Sequence, residues 1–167
     1  MSTTQPAAAS VSIRACEAGD IAAITKIYAH HVLHGLASFE TEPPSENDMR
    51  QRRFDIVSRG FPYLVAECAG EVVGYAYVSP YRLRPAYCHT AENSVYLHPS
   101  WAGRGIGRQL TSALLAICEA KGLRQIVASS ATARTTRRSV SIRASAFARL
   151  AFSVLSGSNS AAGSTAS

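Results

Sequence analysis

Glu92-Asn93-Ser94-Val95-Tyr96-Leu97-His98-Pro99-Ser100-Trp101-Ala102-Gly103-Arg104-Gly105-Ile106-Gly107-Arg108 is the stretch that decides the fold. Ser94 to Leu97 reads as the end of a strand, and Pro99 stops it because proline cannot donate to a ladder. A turn with glycine at every second position, Gly103 to Gly107, then opens an apolar-periodic segment carrying Leu110, Leu114, Leu115 and Cys118. That spacing predicts a helix from about Gly105 to Lys121, ended by Gly122. A strand, a glycine turn and a helix in succession make a geometry suited to phosphate. Glycine lets backbone N–H groups come close to an anion, and the helix N-terminus adds a favourable field.

The turn is not a Walker loop, since no Gly-Lys-Ser/Thr follows. It is not a dinucleotide fingerprint either, since the third glycine is displaced and no acidic residue stands about twenty positions on. A tight strand-to-helix turn would need the same glycines with no ligand at all. Arg104 and Arg108, together with the Glu92 carboxylate eleven residues before Gly103, are what point to a ligand site.

Outward from this stretch the elements alternate. Val11 to Cys16 reads as a short strand. Asp20 stands ahead of Ile21, Ile24, Tyr28 and Val32 on one helical face, as an N-cap would. The helix ends near Gly35, with His30, His31 and His34 close to its end. His30 and His31 point to different faces, so pocket walls or partners of the helix C-terminus fit them better than a metal site does. Ser45 with Asp48 makes a near capping box for a second helix that runs to Ser58. Tyr63 to Cys68 and Val72 to Ser79 read as a hairpin closed by Ala69-Gly70-Glu71, and the alternating Tyr75 and Tyr77 as core positions. A loop rich in Arg and Tyr leads to a strand from about Thr90 to Leu97, and Leu123 to Ala128 reads as a short buried strand.

The chain has 167 residues, enough for one domain with its own core. Cys16, Cys68, Cys88 and Cys118 are dispersed with no Cys-x-x-Cys pair, which argues against a zinc site and a disulfide framework and suits a reducing cytoplasm. No apolar run reaches membrane-spanning length. Residues 1–10 lack the basic start and apolar stretch of a signal peptide and read as a disordered lead-in. The net charge of +6 is unevenly placed. Residues 1–130 hold 12 Lys and Arg against 11 Asp and Glu, whereas residues 131–167 hold five arginines and no acid. A nucleic-acid partner therefore gains no support from net charge.

On three sets of words the chain resembles the GNAT acetyltransferases, and more closely those acting on phosphinothricin and methionine sulfoximine. They are Ile13-Arg14-Ala15 with the Glu92–Arg108 stretch, Ser38-Phe39-Glu40-Thr41-Glu42-Pro43-Pro44, and Gly70-Glu71-Val72-Val73-Gly74-Tyr75-Ala76 with Tyr81-Arg82-Leu83-Arg84-Pro85-Ala86-Tyr87. The resemblance covers about Val11 to Val127 and implies an α/β (α+β) fold: a mixed, mainly antiparallel sheet flanked by helices. It implies acetyl-CoA as cosubstrate, no metal, a small amino acid analogue as amine substrate and pairing into a homodimer. Glu92 is then the general base. Val95, Tyr96 and Leu97 meet the pantetheine arm. Gly103, Arg104, Gly105, Ile106, Gly107 and Arg108 hold the pyrophosphate, although the family usually has Arg or Gln where Ala102 stands. Arg82 and Arg84 bind the substrate carboxylate, with Phe39, Glu40, Tyr81 and Tyr87 as walls.

The resemblance stops after Ala128. Of residues 131–167, 22 are Ala, Ser or Thr. The stretch is expected to be an atypical, largely disordered tail beside a core of residues 11–130, with the family's last helix and strands altered or missing. The abrupt break is what a shifted reading frame produces. Without that ending, Leu123 to Ala128 is expected to be an exposed sheet edge.

Overall fold

The computed structural model describes residues 10–34, 40–81, 89–132 and 135–143, and from Ser129 onward the backbone alone. In chain order the elements are β1 (Val11–Ala15), a 3-10 turn (Ala18–Asp20), α1 (Ile21–His34), α2 (Glu46–Ser58), β2 (Tyr63–Cys68), β3 (Glu71–Pro80), β4 (Thr90–Leu97), a 3-10 turn (Pro99–Trp101), α3 (Ile106–Ala120), β5 (Gln125–Thr132) and β6 (Thr135–Arg143). The strands form one sheet of six in the order β1-β2-β3-β4-β5-β6. Every pairing is antiparallel except β4 with β5, which is parallel and bridged by α3. This is the mixed, mainly antiparallel α/β arrangement read from the sequence, with helices on both faces.

The period-two pattern sorts the two faces. Ala76, Val78 and Ala91 pack with Ile106, Leu110 and Leu114 of α3 on one side. Val65 and Tyr75 pack with Ile21, Ile24 and Tyr28 of α1 and Met49 of α2 on the other. At β2–β3 the pair Cys68–Glu71 closes on Ala69 and Gly70, both with positive φ (52° and 83°). Two left-handed residues are what a two-residue hairpin needs to match strand twist. Ser45 caps α2 by accepting from the Asp48 amide at 3.2 Å, while Asp48 returns the contact to the Ser45 amide, as the capping-box spacing indicates.

Two expectations change. Asp20 does not cap α1. It lies in the preceding turn, buried, and takes the Glu17 amide at 2.7 Å and both Arg14 nitrogens at 2.8 and 2.9 Å. Arg14 also reaches Glu67 at 2.7 Å, so one guanidinium ties β1, the turn and β2 together. Nor is Leu123–Ala128 an open edge. β5 runs on to Thr132 and pairs with β6 from Gln125–Arg143 to Thr132–Thr135. The signal for β6 was the β-branched alternation Ser139-Val140-Ser141-Ile142, masked by an Ala- and Ser-rich surrounding. Residues 144–167 lie outside the described residues.

Candidate active site

β4 is held on both sides at its start and on one side at its end. β5 pairs with Thr90 to Asn93 only, its last partners being Asn93 and Ala128. β3 accompanies β4 all the way from Ala91 to Leu97. The strands thus part after Asn93. The His98 amide donates to Val73 on the β3 side at 2.9 Å. Since successive residues of a strand alternate, Val95 and Leu97 turn their N–H and C=O groups the other way, toward the parted edge. The carbonyl of Leu97 takes a contact from His31 Nε2 at 2.8 Å, and α1 thereby reaches the opening from one face. The side chains of Val95 and Leu97 pack against the core below α3.

The glycine turn lies just beyond. Gly103 and Gly105 have φ of 77° and 79°, a conformation that costs any other residue about 1–2 kcal/mol. A Cβ built on either would meet open space, so the backbone here is uncovered. Gly105 is the N-cap of α3, and the first intrahelical bond runs from Gln109 to Gly105. The amides of Ile106 and Gly107 come before it and look to partners outside the helix. Gly107 is buried, and a Cβ there would touch Leu97 and Val95 at 3.5 and 4.0 Å, which seats the helix start against the parted strand. Arg104 stacks over the Trp101 ring at 4.6 Å, leaving its positive charge ahead of the helix. Open amides, a helix N-terminus and arginine charge are the donor set for a diphosphate.

Glu92 stands at the other end of the opening, opposite Ser79 of β3. Its register puts it on the face of Ser94 and Tyr96, the face that α1 and α2 cover. Burial pushes the Tyr77 phenol up, Ser94 holds it back by a hydrogen bond, and the charge of Glu92 adds to the rise. Under α2 on this same face lies a cavity of about 280 Å³. Its walls include Tyr28, Arg52, Tyr63, Tyr75, Tyr77 and Ser79. Glu40 approaches from the segment before α2. It takes Arg52 at 2.7 and 3.3 Å and the Tyr28 hydroxyl at 3.2 Å.

The structure thus brings Val95, Leu97 and the Gly103–Arg108 turn to one side of the parted strands, and Glu92 to the same strand on the helix-covered face. Tyr96 differs from its neighbours. Its ring turns into the aromatic group of Tyr28 (5.1 Å) and Tyr75 (5.2 Å). Glu40 has its carboxylate engaged by Arg52. Phe39, Arg82, Arg84 and Tyr87 lie outside the described residues. Sequence reading gave no role to Arg52, Tyr28 or Tyr63 at this site. The alternation of Tyr75 and Tyr77 was visible, but its pairing with Tyr63 depends on the β2–β3 register.

Residues 23–144 match the acetyltransferase (GNAT) family. A phosphinothricin N-acetyltransferase of Alcaligenes faecalis is 48% identical over 117 residues, covering 70% of this chain and 59% of that protein. An L-methionine sulfoximine/L-methionine sulfone acetyltransferase of Salmonella typhimurium is 39% identical over 106 residues, covering 63% of this chain and 61% of that protein. The crystal structure of a GNAT superfamily phosphinothricin acetyltransferase from Sinorhizobium meliloti, in complex with AcCoA, superposes with a TM-score of 0.71 at 43% identity, over 72% of this chain and 66% of that one. The chain spans less than two thirds of the length of these two curated relatives. On the family match, the parted strand and the glycine turn that follows it, the chain belongs to the acetyltransferase (GNAT) family.

Proposed function

We propose that the chain transfers an acetyl group from acetyl-CoA to the α-amine of a small amino acid analogue such as phosphinothricin or methionine sulfoximine. The observation that carries this is the arrangement along β4. An edge with outward-facing backbone groups at Val95 and Leu97 lies between a carboxylate, Glu92, and a glycine cradle at the start of α3. Relatives with those activities, and a neighbour solved with AcCoA, support it.

Acetyl-CoA supplies an activated acetyl group as a thioester. The amides of Ile106 and Gly107, with Arg104 and Arg108, hold its diphosphate. Val95 and Leu97 pair with the pantetheine arm as a missing strand would. Tyr96, whose ring faces the other side, contributes backbone alone. Glu92 takes a proton from the acceptor ammonium, directly or through one water, because only the neutral amine attacks. An amide on the open edge stabilises the developing oxyanion. The products are the N-acetylated amine and the free thiol.

The substrate carboxylate falls to Arg82 and Arg84, with Phe39, Glu40 and Tyr87 as walls; for Glu40 the role is indirect, through the Arg52 guanidinium that it holds. The buried thiols of Cys16 and Cys118 fit a cytoplasmic setting. Among the described residues no helix is long and apolar enough to cross a membrane. A homodimer would cover the exposed Leu33, Phe54 and Val57.

The test is a thermal shift with acetyl-CoA followed by a thiol-release assay with phosphinothricin and methionine sulfoximine. Both a shift and release are expected. Binding without release from either amine would contradict the transfer and leave a nucleotide-binding remnant.

A further inference from the structure

A long, flexible cation binds an anion well only when its charge is already in place, because ordering the side chain on binding costs conformational entropy. Arg104 meets this difficulty directly. It is exposed, and it stands between Gly103 and Gly105, which have no side chains to restrain it. Ala102 brings no side-chain donor to the turn either.

Trp101 supplies the restraint. It ends the 3-10 turn Pro99–Trp101, where its own amide donates to the His98 carbonyl at 2.9 Å and the Ala102 amide donates to the Pro99 carbonyl at 3.3 Å. Its half-buried ring packs against the core cluster that holds Ile106 and Leu110 of α3. The ring is therefore fixed relative to the start of that helix. The Arg104 Cζ lies over it, 4.6 Å from the centroid, well within the range of a cation–π contact. A guanidinium held by its face keeps the N–H groups along its edge for hydrogen bonds.

We propose that Trp101 is a positioning residue for the cofactor diphosphate: its indole holds the Arg104 guanidinium ahead of α3 before the nucleotide arrives, and sets the affinity through Arg104 rather than by touching the nucleotide. The inference rests on the acetyl-transfer reading for the identity of that diphosphate. The core on one side of the ring and Arg104 over it make the indole a platform that is already occupied. Removing the ring leaves the Arg104 charge intact but unrestrained, so the loss on binding is the cost of ordering one side chain.

The experiment is a double-mutant cycle on the full chain, with coenzyme A as the calorimetric probe. Trp101→Leu is expected to raise Kd about threefold to fivefold, the worth of one partly exposed cation–π contact. Trp101→Phe, which keeps a ring face, should lose about twofold. Arg104→Met should lose about tenfold or more, the worth of a charged hydrogen bond. In the Arg104→Met background, Trp101→Leu should cost nothing further. In the thiol-release assay the Trp101→Leu change falls on KM for acetyl-CoA more than on kcat. Equal Kd in the parent and Trp101→Leu overturns the assignment. So does an undiminished loss from Trp101→Leu in the Arg104→Met background, since the indole would then act on the nucleotide or the fold without Arg104. Where Trp101→Leu melts below the assay temperature, Trp101→Phe decides by the same cycle. Either overturning result, with coenzyme A bound by the parent, leaves the transfer reading standing. A parent that binds no coenzyme A removes both.

Discussion

His31 Nε2 and the carbonyl oxygen of Leu97 lie 2.8 Å apart, joining the last turn of α1 to the edge of β4 where β5 has parted from it. The imidazole N–H donates and the carbonyl accepts. Its ring also leans on Tyr96 at 5.6 Å, so the contact is oriented from two directions. His31 thereby steadies one of the two backbone positions assigned to the pantetheine arm, and it acts as a positioning residue. His31→Ala is expected to raise KM for acetyl-CoA several-fold with a smaller effect on kcat, and to cost about 1 kcal/mol of stability. His31→Gln, which keeps a donor, should recover most of the affinity. Steady-state kinetics on both variants checks this; equal KM in all three proteins would remove the role.

Gly74 of β3 pairs with Leu97 across the ladder, on the side of β4 away from the parted edge. A Cβ there would stand 2.5 Å from Leu97 Cδ2 and 3.1 Å from the Tyr96 carbonyl oxygen. The side chain could turn aside, but the carbonyl belongs to the ladder and has nowhere to move. Gly74→Ala should therefore cost about 2 kcal/mol, as overpacking does, and should weaken acetyl-CoA binding by displacing Leu97. Chemical denaturation and a cofactor titration on the variant measure the two effects.

Much of the site could be read from the sequence because its signals are local. Gly103, Gly105 and Gly107 punctuate a single turn, Pro99 ends the strand before it, and the apolar period after it marks α3. The parting of β4 from β5 is not a local signal, since where Ala128 stops pairing is a matter of register that no local pattern encodes. The tyrosine wall was hidden for the same reason. Tyr28, Tyr63 and Tyr77 come from three elements, and only the sheet and α1 bring them together. β6 was missed because Ser and Arg dominate its surroundings, although Val140 and Ile142 alternate as a strand should.

Ala69 has a φ of 52°, the one non-glycine residue with positive φ among the described residues. It occupies the first position of a two-residue hairpin that favours glycine or asparagine. Ala69→Gly should relieve the left-handed penalty and stabilise the chain by about 1 kcal/mol, raising Tm by a few degrees. A lowered Tm would mean that the turn is not limiting in this hairpin.

Asp20 makes acid stability testable. The Arg14 hydrogen bonds hold its carboxyl below the usual range, and the Glu17 amide adds to this, while burial opposes both. A folded-state value below the unfolded one means that the stabilisation is present above about pH 4 and is lost as pH falls through the folded value. Asp20→Asn should cost about 2 kcal/mol at neutral pH, and the difference from the parent should shrink as the medium becomes acidic. Melting curves across pH follow it.

Glu92→Gln is the most direct measurement. The amide keeps the shape of the carboxylate but cannot accept the ammonium proton, so kcat with phosphinothricin should fall by about 10²–10⁴ while the affinity for acetyl-CoA is unchanged. Full turnover in Glu92→Gln would contradict the assignment of the base, and with it the reading of β4 as the strand on which acetyl transfer takes place.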